Sequence, residues 1–239
     1  MEQHKVKTYL LYAIGEVLLV VIGILIALQV NNWNENQKER DFEHKILTEI
    51  HSTLITEWER REQDFEGYAR AKESIGYLTL VRNGEITEPD SLMHHIRRIN
   101  IRQFFISNSG AYETLKTSGL DKISNENLRR QLVAYHEEYL PATSMMINSV
   151  LRNSITENID LYDRLFVNGV QLNDEGELVD THPHLSRSDL ESEDFLAFLR
   201  NANAIQEQFT IFLRATQGRA DQLLELIENE IGFDSIEES

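Results

Sequence analysis

Tyr9 to Val30 reads YLLYAIGEVLLVVIGILIALQV, and fourteen of its 22 residues are Leu, Ile or Val. As a helix this stretch rises about 33 Å, enough to cross a hydrocarbon layer of roughly 30 Å. Its aliphatic residues outweigh the penalty of roughly 3 kcal/mol for one central ionisable side chain. Tyr9, Tyr12 and Trp33 lie at the two ends, where aromatic rings favour the headgroup level. No small-x-small cleavage pattern follows, so the run reads as a retained signal anchor instead of a cleaved leader. Lys5 and Lys7 precede it, and Lys38, Arg40 and Lys45 follow. The charge rule weighs short flanks most and excuses long translocated domains. The expectation is a single-pass inner-membrane protein with residues 1–8 as a short cytoplasmic tail and the bulk of the chain in the periplasm.

Working outward, the composition closes several routes to function. The 239 residues carry 23 basic and 40 acidic side chains, a formal charge of −17. A dedicated nucleic-acid binder needs clustered Lys and Arg to neutralise phosphates, so nucleic acid is not an expected partner. With no Cys there are no disulfides, iron–sulfur clusters or thiol nucleophiles. Three Pro and 11 Gly leave room for long helices.

Glu16 interrupts the apolar run about 10 Å into the span. Intramembrane carboxylates usually face protein or water. Positions 16, 23 and 27 share one helix face, so Glu16, Gly23 and Ala27 form a polar-to-small stripe suited to close helix approach. This stripe is the candidate for transmembrane assembly, or for an oligomeric proton or cation path. The lipid bilayer and a homo-oligomer or other membrane protein are the expected partners.

Beyond the span, Trp33 to Val81 holds no Pro, and Leu47, Leu54, Trp58, Phe65, Tyr68 and Ile75 repeat near every 3.5 residues. This predicts a stalk helix with one seam, interrupted by His51, Arg61 and Lys72. Asn83-Gly84 ends it, and Glu88-Pro89-Asp90-Ser91 opens a helix to about Phe105. A short helix is predicted from Ala111 to Thr117, stopped by Gly119. Ser124 or Asn125 caps a long one to Phe166, kinked at Pro141. The stretch 168–188 reads as a loop, with a small hairpin if Val170 and Leu172 face Leu178. Ser188-x-x-Glu191 fits a capping box before a final helix to Ile231, and 232–239 form an acidic tail. The fold class expected is all-α: one transmembrane helix continuing into an elongated antiparallel bundle over residues 31–231.

Two segments carry a resemblance. YLLYAIGEVLLVVIGILIALQVNNWNE, Tyr9 to Glu35, resembles the N-terminus of a Bacteroidota family of small single-pass membrane proteins with a domain of unknown function. The run combines Glu16, Gly23, Gln29, Asn31, Asn32, Trp33 and Asn34. SNSGAYETLKTSGLDKISNENLRRQLVAYHEEY, Ser107 to Tyr139, is similar to that family's central helical region. It does so through Ala111 to Lys116, Ser118-Gly119 and Leu128. Relatives often have a longer basic tail than Met1 to Thr8. The resemblance implies a topology and a host group and brings no catalytic activity.

The remaining chemistry is sparse. His136-Glu137-Glu138-Tyr139-Leu140 begins like a zinc-protease helix, but Leu140 occupies the place of the second His. Nucleophile-elbow, phosphate-loop and dinucleotide motifs are missing. No enzyme and no cofactor are expected. His182 and His184, near Asp180, Asp189 and Glu193, are weak metal candidates in the loop. His94, His95, Arg97, Arg98 and Arg102 concentrate basic charge and are the candidate docking patch, with intramolecular ion pairing as the plainer explanation. Ser107 to Gly110 and Lys116 to Gly119 bracket a short helix with small polar groups, which makes Tyr112, Glu113 and Lys116 the candidate ligand residues. The expected function is assembly: a non-enzymatic scaffold or accessory subunit of an envelope complex. A ligand-binding or sensor module and an ion path through Glu16 are the alternatives.

Overall fold

One helix, α1, runs unbroken from Glu2 to Arg82. The computed structural model describes residues 2–87, 92–99, 105–166, 171–172, 178–179 and 185–232, with backbone alone for 2–15 and the two strands. At 1.5 Å per residue α1 is about 120 Å long. The expected separate tail before Tyr9 is part of this helix from Glu2 onward. No Pro interrupts it, and an added Cβ at Gly23, Gly67 or Gly76 would meet nothing within 4 Å. From Glu16 to Asn36 every side chain is exposed. This part of α1 is long and apolar enough to cross a membrane, with a mean hydropathy of 1.8 over its best window. Asn31 donates to Glu35, and Gln37 donates to Asp41, so the first turns beyond the apolar run support themselves through i,i+4 pairs.

From Ile46 onward α1 enters the bundle. Its inward positions are Leu47, Ile50, Leu54, Glu57, Arg61, Tyr68, Ala71, Ile75 and Leu78, spaced alternately by three and four apart from a gap at Asp64. This corrects the seam read from the sequence. Trp58 is 41% exposed, while Glu57 and Arg61 lie inside. The two form an i,i+4 pair at 2.7 Å and so tolerate burial that an isolated charge would not.

Helix α8, Glu193–Ile231, returns along α1. His51 contacts Glu228 near one end, Tyr68 packs on Phe209 midway, and Arg187 reaches Val81 near the other. The chain order of these contacts makes the two helices antiparallel. α2 spans Leu92–Ile99 and packs on α1 through Ile96 and Ile99. The proposed start at 88–91 lies outside the described residues. Phe105 is not helical, a second correction, because Asn148 holds both its N–H and its C=O, at 3.0 and 2.9 Å.

α3, Gly110–Ser118, ends at Gly119, whose φ of +112 suits glycine and whose N–H closes on Leu115 O at 3.0 Å. A 3₁₀ turn, Leu120–Lys122, follows. Asn125 then caps α4, Glu126–Val133, accepting from the N–H groups of Asn127 and Leu128. The expected single helix to Phe166 is instead α4, a π segment Ala134–Tyr139, α5 Leu140–Met145, a second π segment Met146–Val150, and α6 Arg152–Phe166. Pro141 sits at the start of α5. It has no N–H for the carbonyl four residues back, and wide turns absorb that mismatch on the preceding side.

Two-residue strands β1, Gln171–Leu172, and β2, Leu178–Val179, pair antiparallel with Leu172 opposite Leu178. Val170 lies outside the described residues, as do 233–239 of the tail. The capping box falls two residues earlier than the sequence suggested. Ser186 and Asp189 cap a short α7, Arg187–Glu191, and Ser192 breaks the chain to cap α8. The break lets Leu190 and Phe195 both enter the core. Arg187 donates to the carbonyls of Val81 and Arg82, which α1 leaves open at its C-terminus.

The buried apolar residues form two clusters strung along α1. The one nearer the apolar segment joins Leu47 and Ile50 to Leu115, Leu128, Leu132 and Ile227. The farther one is aromatic, with Phe166, Phe195 and Phe198 against Ala71, Leu78 and Ile96. Each fully buried Leu or Phe contributes about 1.5–3 kcal/mol, so the bundle holds α1 at both levels.

Candidate functional site

The most concentrated chemistry among the described residues lies where α3 meets the first π segment. α3 is amphipathic over two turns, burying Tyr112 and Leu115. Lys116, one turn from Tyr112, stays at the surface. Wide turns crowd successive side chains closer around the axis than an α-helix does, and π turns are frequent at functional sites. Here the neighbours His136 and Glu137 both reach α3. The Tyr112 ring lies flat on the His136 imidazole, centroids 4.3 Å apart and planes 7° apart. Its hydroxyl donates to Glu137 Oε1 at 2.6 Å, and Lys116 Nζ donates to the same oxygen at 2.9 Å.

Ser109 completes the cluster. It occupies the N-cap position of α3 but makes no side-chain cap. Its hydroxyl instead lies 3.1 Å from His136 Nδ1. Among the described residues the other ring nitrogen, His136 Nε2, is buried with no hydrogen-bond partner, and so is the hydroxyl of Tyr135. Leaving a buried polar atom unpaired costs about 1–3 kcal/mol. Such atoms, set beside a wide helical turn, mark this as one place where the bundle tolerates local cost.

The electrostatics follow from burial and contact. Burial pushes the His136 imidazole down to about 4, only partly opposed by Glu137, so the ring is neutral at physiological pH. Burial raises Tyr112 well above the usual phenol range, helped by its bond to Glu137. Glu137 is held below the usual carboxylate range by the bonds from Tyr112 and Lys116, and Lys116 is raised by the reciprocal bond. The result is a fixed neutral imidazole beside a fixed ion pair, which suits recognition by hydrogen bonding and stacking.

Of the three ligand residues read from the sequence, the structure brings Tyr112 and Lys116 together on Glu137 and leaves Glu113 exposed on another face of α3. Ser109, His136 and Glu137 were not singled out with them. Their partners lie 21 to 27 positions away in the chain, so no local spacing signals the contact.

The basic patch divides. His95 turns inward, Nδ1 at 3.1 Å from the buried Ser74 hydroxyl and its ring stacked 4.0 Å from Tyr77. Burial, then the charges of His94 and Arg98, lowers its pKa. His94 and Arg97 face solvent, Arg98 is half-buried, and Arg102 lies outside the described residues. His182 and His184 also lie outside them. Among the described residues no three His, Asp or Glu side chains group as metal ligands. Glu16, Gly23 and Ala27 are all exposed along the uncovered part of α1. No protein-family model, curated protein or solved structure matches this chain.

Proposed function

We propose that this chain is a single-pass protein of the inner membrane, akin to the Bacteroidota family it resembles. Its helical domain acts without catalysis of its own, as an assembly scaffold or accessory subunit of an envelope complex. The N-terminus is cytoplasmic and the bundle periplasmic in this reading. The observation that carries it is the continuity of α1: one helix holds the exposed apolar run and, from Ile46 to Val81, a wall of both buried clusters. An interaction made in the membrane is thereby joined to the bundle with no hinge residue between them. Glu16, Gly23 and Ala27 supply the assembling face, since a carboxylate in lipid needs a partner and small residues admit one.

Native mass analysis of the full-length protein, extracted gently with its lipids, tests this. A discrete homo-oligomer or a reproducible heteromer is expected, with Gly23→Leu and Glu16→Gln each reducing it. A monomer throughout, indifferent to both substitutions, overturns the reading. Proton or cation flux that Glu16→Gln abolishes while assembly persists moves the assignment to the ion path.

A second reading has its own observation. The unpartnered Nε2 of His136, beneath Tyr112, favours a ligand-binding or sensor module at the α3 cluster. Such a module would pass its state to a partner through α1. Loss of a ligand-dependent change in assembly on Tyr112→Phe or Lys116→Gln is the expected signature.

A further inference from the structure

The Phe105–Ser109 segment that delivers Ser109 to His136 also closes a cavity of about 110 Å³ against α1 and α8. Its floor is Arg61, Phe105, Phe209 and Leu213, all buried, and its rim is Arg60, Asp64 and Ile106, all exposed. The rim carries an aliphatic side chain 68% in solvent, which keeps an apolar edge at the mouth. The segment itself is tied down by α1: Arg60 donates to Ile106 O and the Asn108 N–H donates to Glu57.

The polar groups of this cavity are unevenly satisfied. Arg61 is 2% exposed, yet its guanidinium makes one hydrogen bond among the described residues, from Nη2 to Glu57 at 2.7 Å. Phe105 covers one ring face, 5.0 Å from its centroid. The same guanidinium lines the cavity. Arg60 is 3.6 Å from the same Glu57 carboxylate, so one acid serves two guanidiniums. Asp64, a turn beyond Arg60 on the same helix, makes no ion pair among the described residues. Partial desolvation at the rim lifts its carboxyl above the usual range, by more than Arg60 and Arg61 lower it.

The occupant must meet both charges. A bare anion would satisfy the guanidiniums and be repelled by Asp64, and a bare cation would meet the reverse. We infer that this cavity binds a small zwitterion, an α-amino acid of the size of glycine or alanine. Its carboxylate would lie on Arg60 and Arg61, and its ammonium on Asp64. A planar guanidinium fork matches a carboxylate, and residues four apart on a helix flank one small molecule. At about 110 Å³ the cavity has room for a molecule of a few linked heavy atoms. The inference does not depend on the assembly reading, since it concerns the bundle alone.

Isothermal titration of the full-length chain in detergent tests it, with glycine, alanine, leucine, acetate and methylammonium as separate probes. Saturable binding of glycine or alanine is expected, with acetate and methylammonium weaker by at least about tenfold, the worth of one charge-assisted hydrogen bond. Asp64→Asn and Arg60→Gln, both at the rim, should weaken the amino acid by a similar factor while the helical signal of the unliganded protein stays unchanged. Acetate binding as tightly as glycine would make this an anion site and overturn the zwitterion. Heat from none of the probes, or undiminished binding in Asp64→Asn, overturns the site altogether.

Discussion

The hydroxyl of Ser109 lies 3.1 Å from His136 Nδ1 instead of capping the helix it precedes. A cap is worth about 1 kcal/mol, so α3 forgoes that stabilisation for a contact made across the bundle. Ser109→Ala should therefore act through His136, leaving a second buried ring nitrogen unpaired at about 1–3 kcal/mol. The double variant Ser109→Ala/His136→Phe removes both partners and keeps the stack on Tyr112. Urea denaturation should place it closer to the native protein than the single variant. Additive losses would show that the pair is not coupled.

His136 also makes stability depend on pH with a definite sign. Its folded pKa, about 4, lies below the ordinary 6.5 because burial disfavours the charged ring. The unfolded chain therefore binds more protons between those values, and stability falls as pH drops from about 6.5 towards 4. The full loss is on the order of 3 kcal/mol. Unfolding midpoints between pH 7.5 and 5 should fall more steeply for the native protein than for His136→Phe. Parallel slopes would remove His136 as the cause.

The buried Glu57–Arg61 pair predicts an asymmetry. Removing Glu57 strands the buried Arg61 guanidinium, so Glu57→Leu should cost about 3–5 kcal/mol. Arg61→Met should cost less, because Arg60 and the Asn108 N–H still face Glu57. Glu57 also accepts from the Asn108 N–H, and Glu57→Gln keeps an acceptor there. It should cost less than Glu57→Leu. Denaturant midpoints of the three variants check the order.

Pro141→Ala restores the N–H that the turn before α5 lacks. The π segment should then shorten towards α-helical bonding, turning His136 and Glu137 relative to α3. Carbonyl and amide shifts over 134–140, with loss of the Tyr112–Glu137 hydrogen bond, are the expected result. Unchanged shifts would show that packing on α3, not the proline, holds the wide turn.

Topology can be read with single thiols, because the chain has no Cys. A membrane-impermeant maleimide should label Ser188→Cys, an exposed position on α7, once the outer envelope is opened, and leave Gln3→Cys untouched. Labelling at position 188 that requires breach of the inner membrane would invert the proposed orientation.

Much of the helical order was legible in the sequence because its signals are local. Gly119 and Asn125 end and begin their helices where glycine freedom and side-chain capping dictate, and Leu172 pairs with Leu178 as the turn residues between them suggest. The errors fell where local signals compete. Ser186 and Ser188 both precede an acidic residue by three, and burial of Leu190 and Phe195 chose between the registers. Trp58 and Glu57 are adjacent on the same helix. A hydrophobic count favours Trp58, whereas the partners Arg61 and Asn108 draw Glu57 inside.

By itself, then, the sequence determined the apolar run of 9–30, the continuation of its helix into the stalk and the all-helical class, since each follows from composition and periodicity along the chain. The tertiary structure alone decided that Tyr112 and Lys116 share Glu137, that Ser109 gives its hydroxyl to His136, and that Arg61 lines a cavity with Asp64. Those contacts join residues far apart in the chain or choose among faces of one helix. The energy that selects them comes from burial and pairing in the assembled bundle.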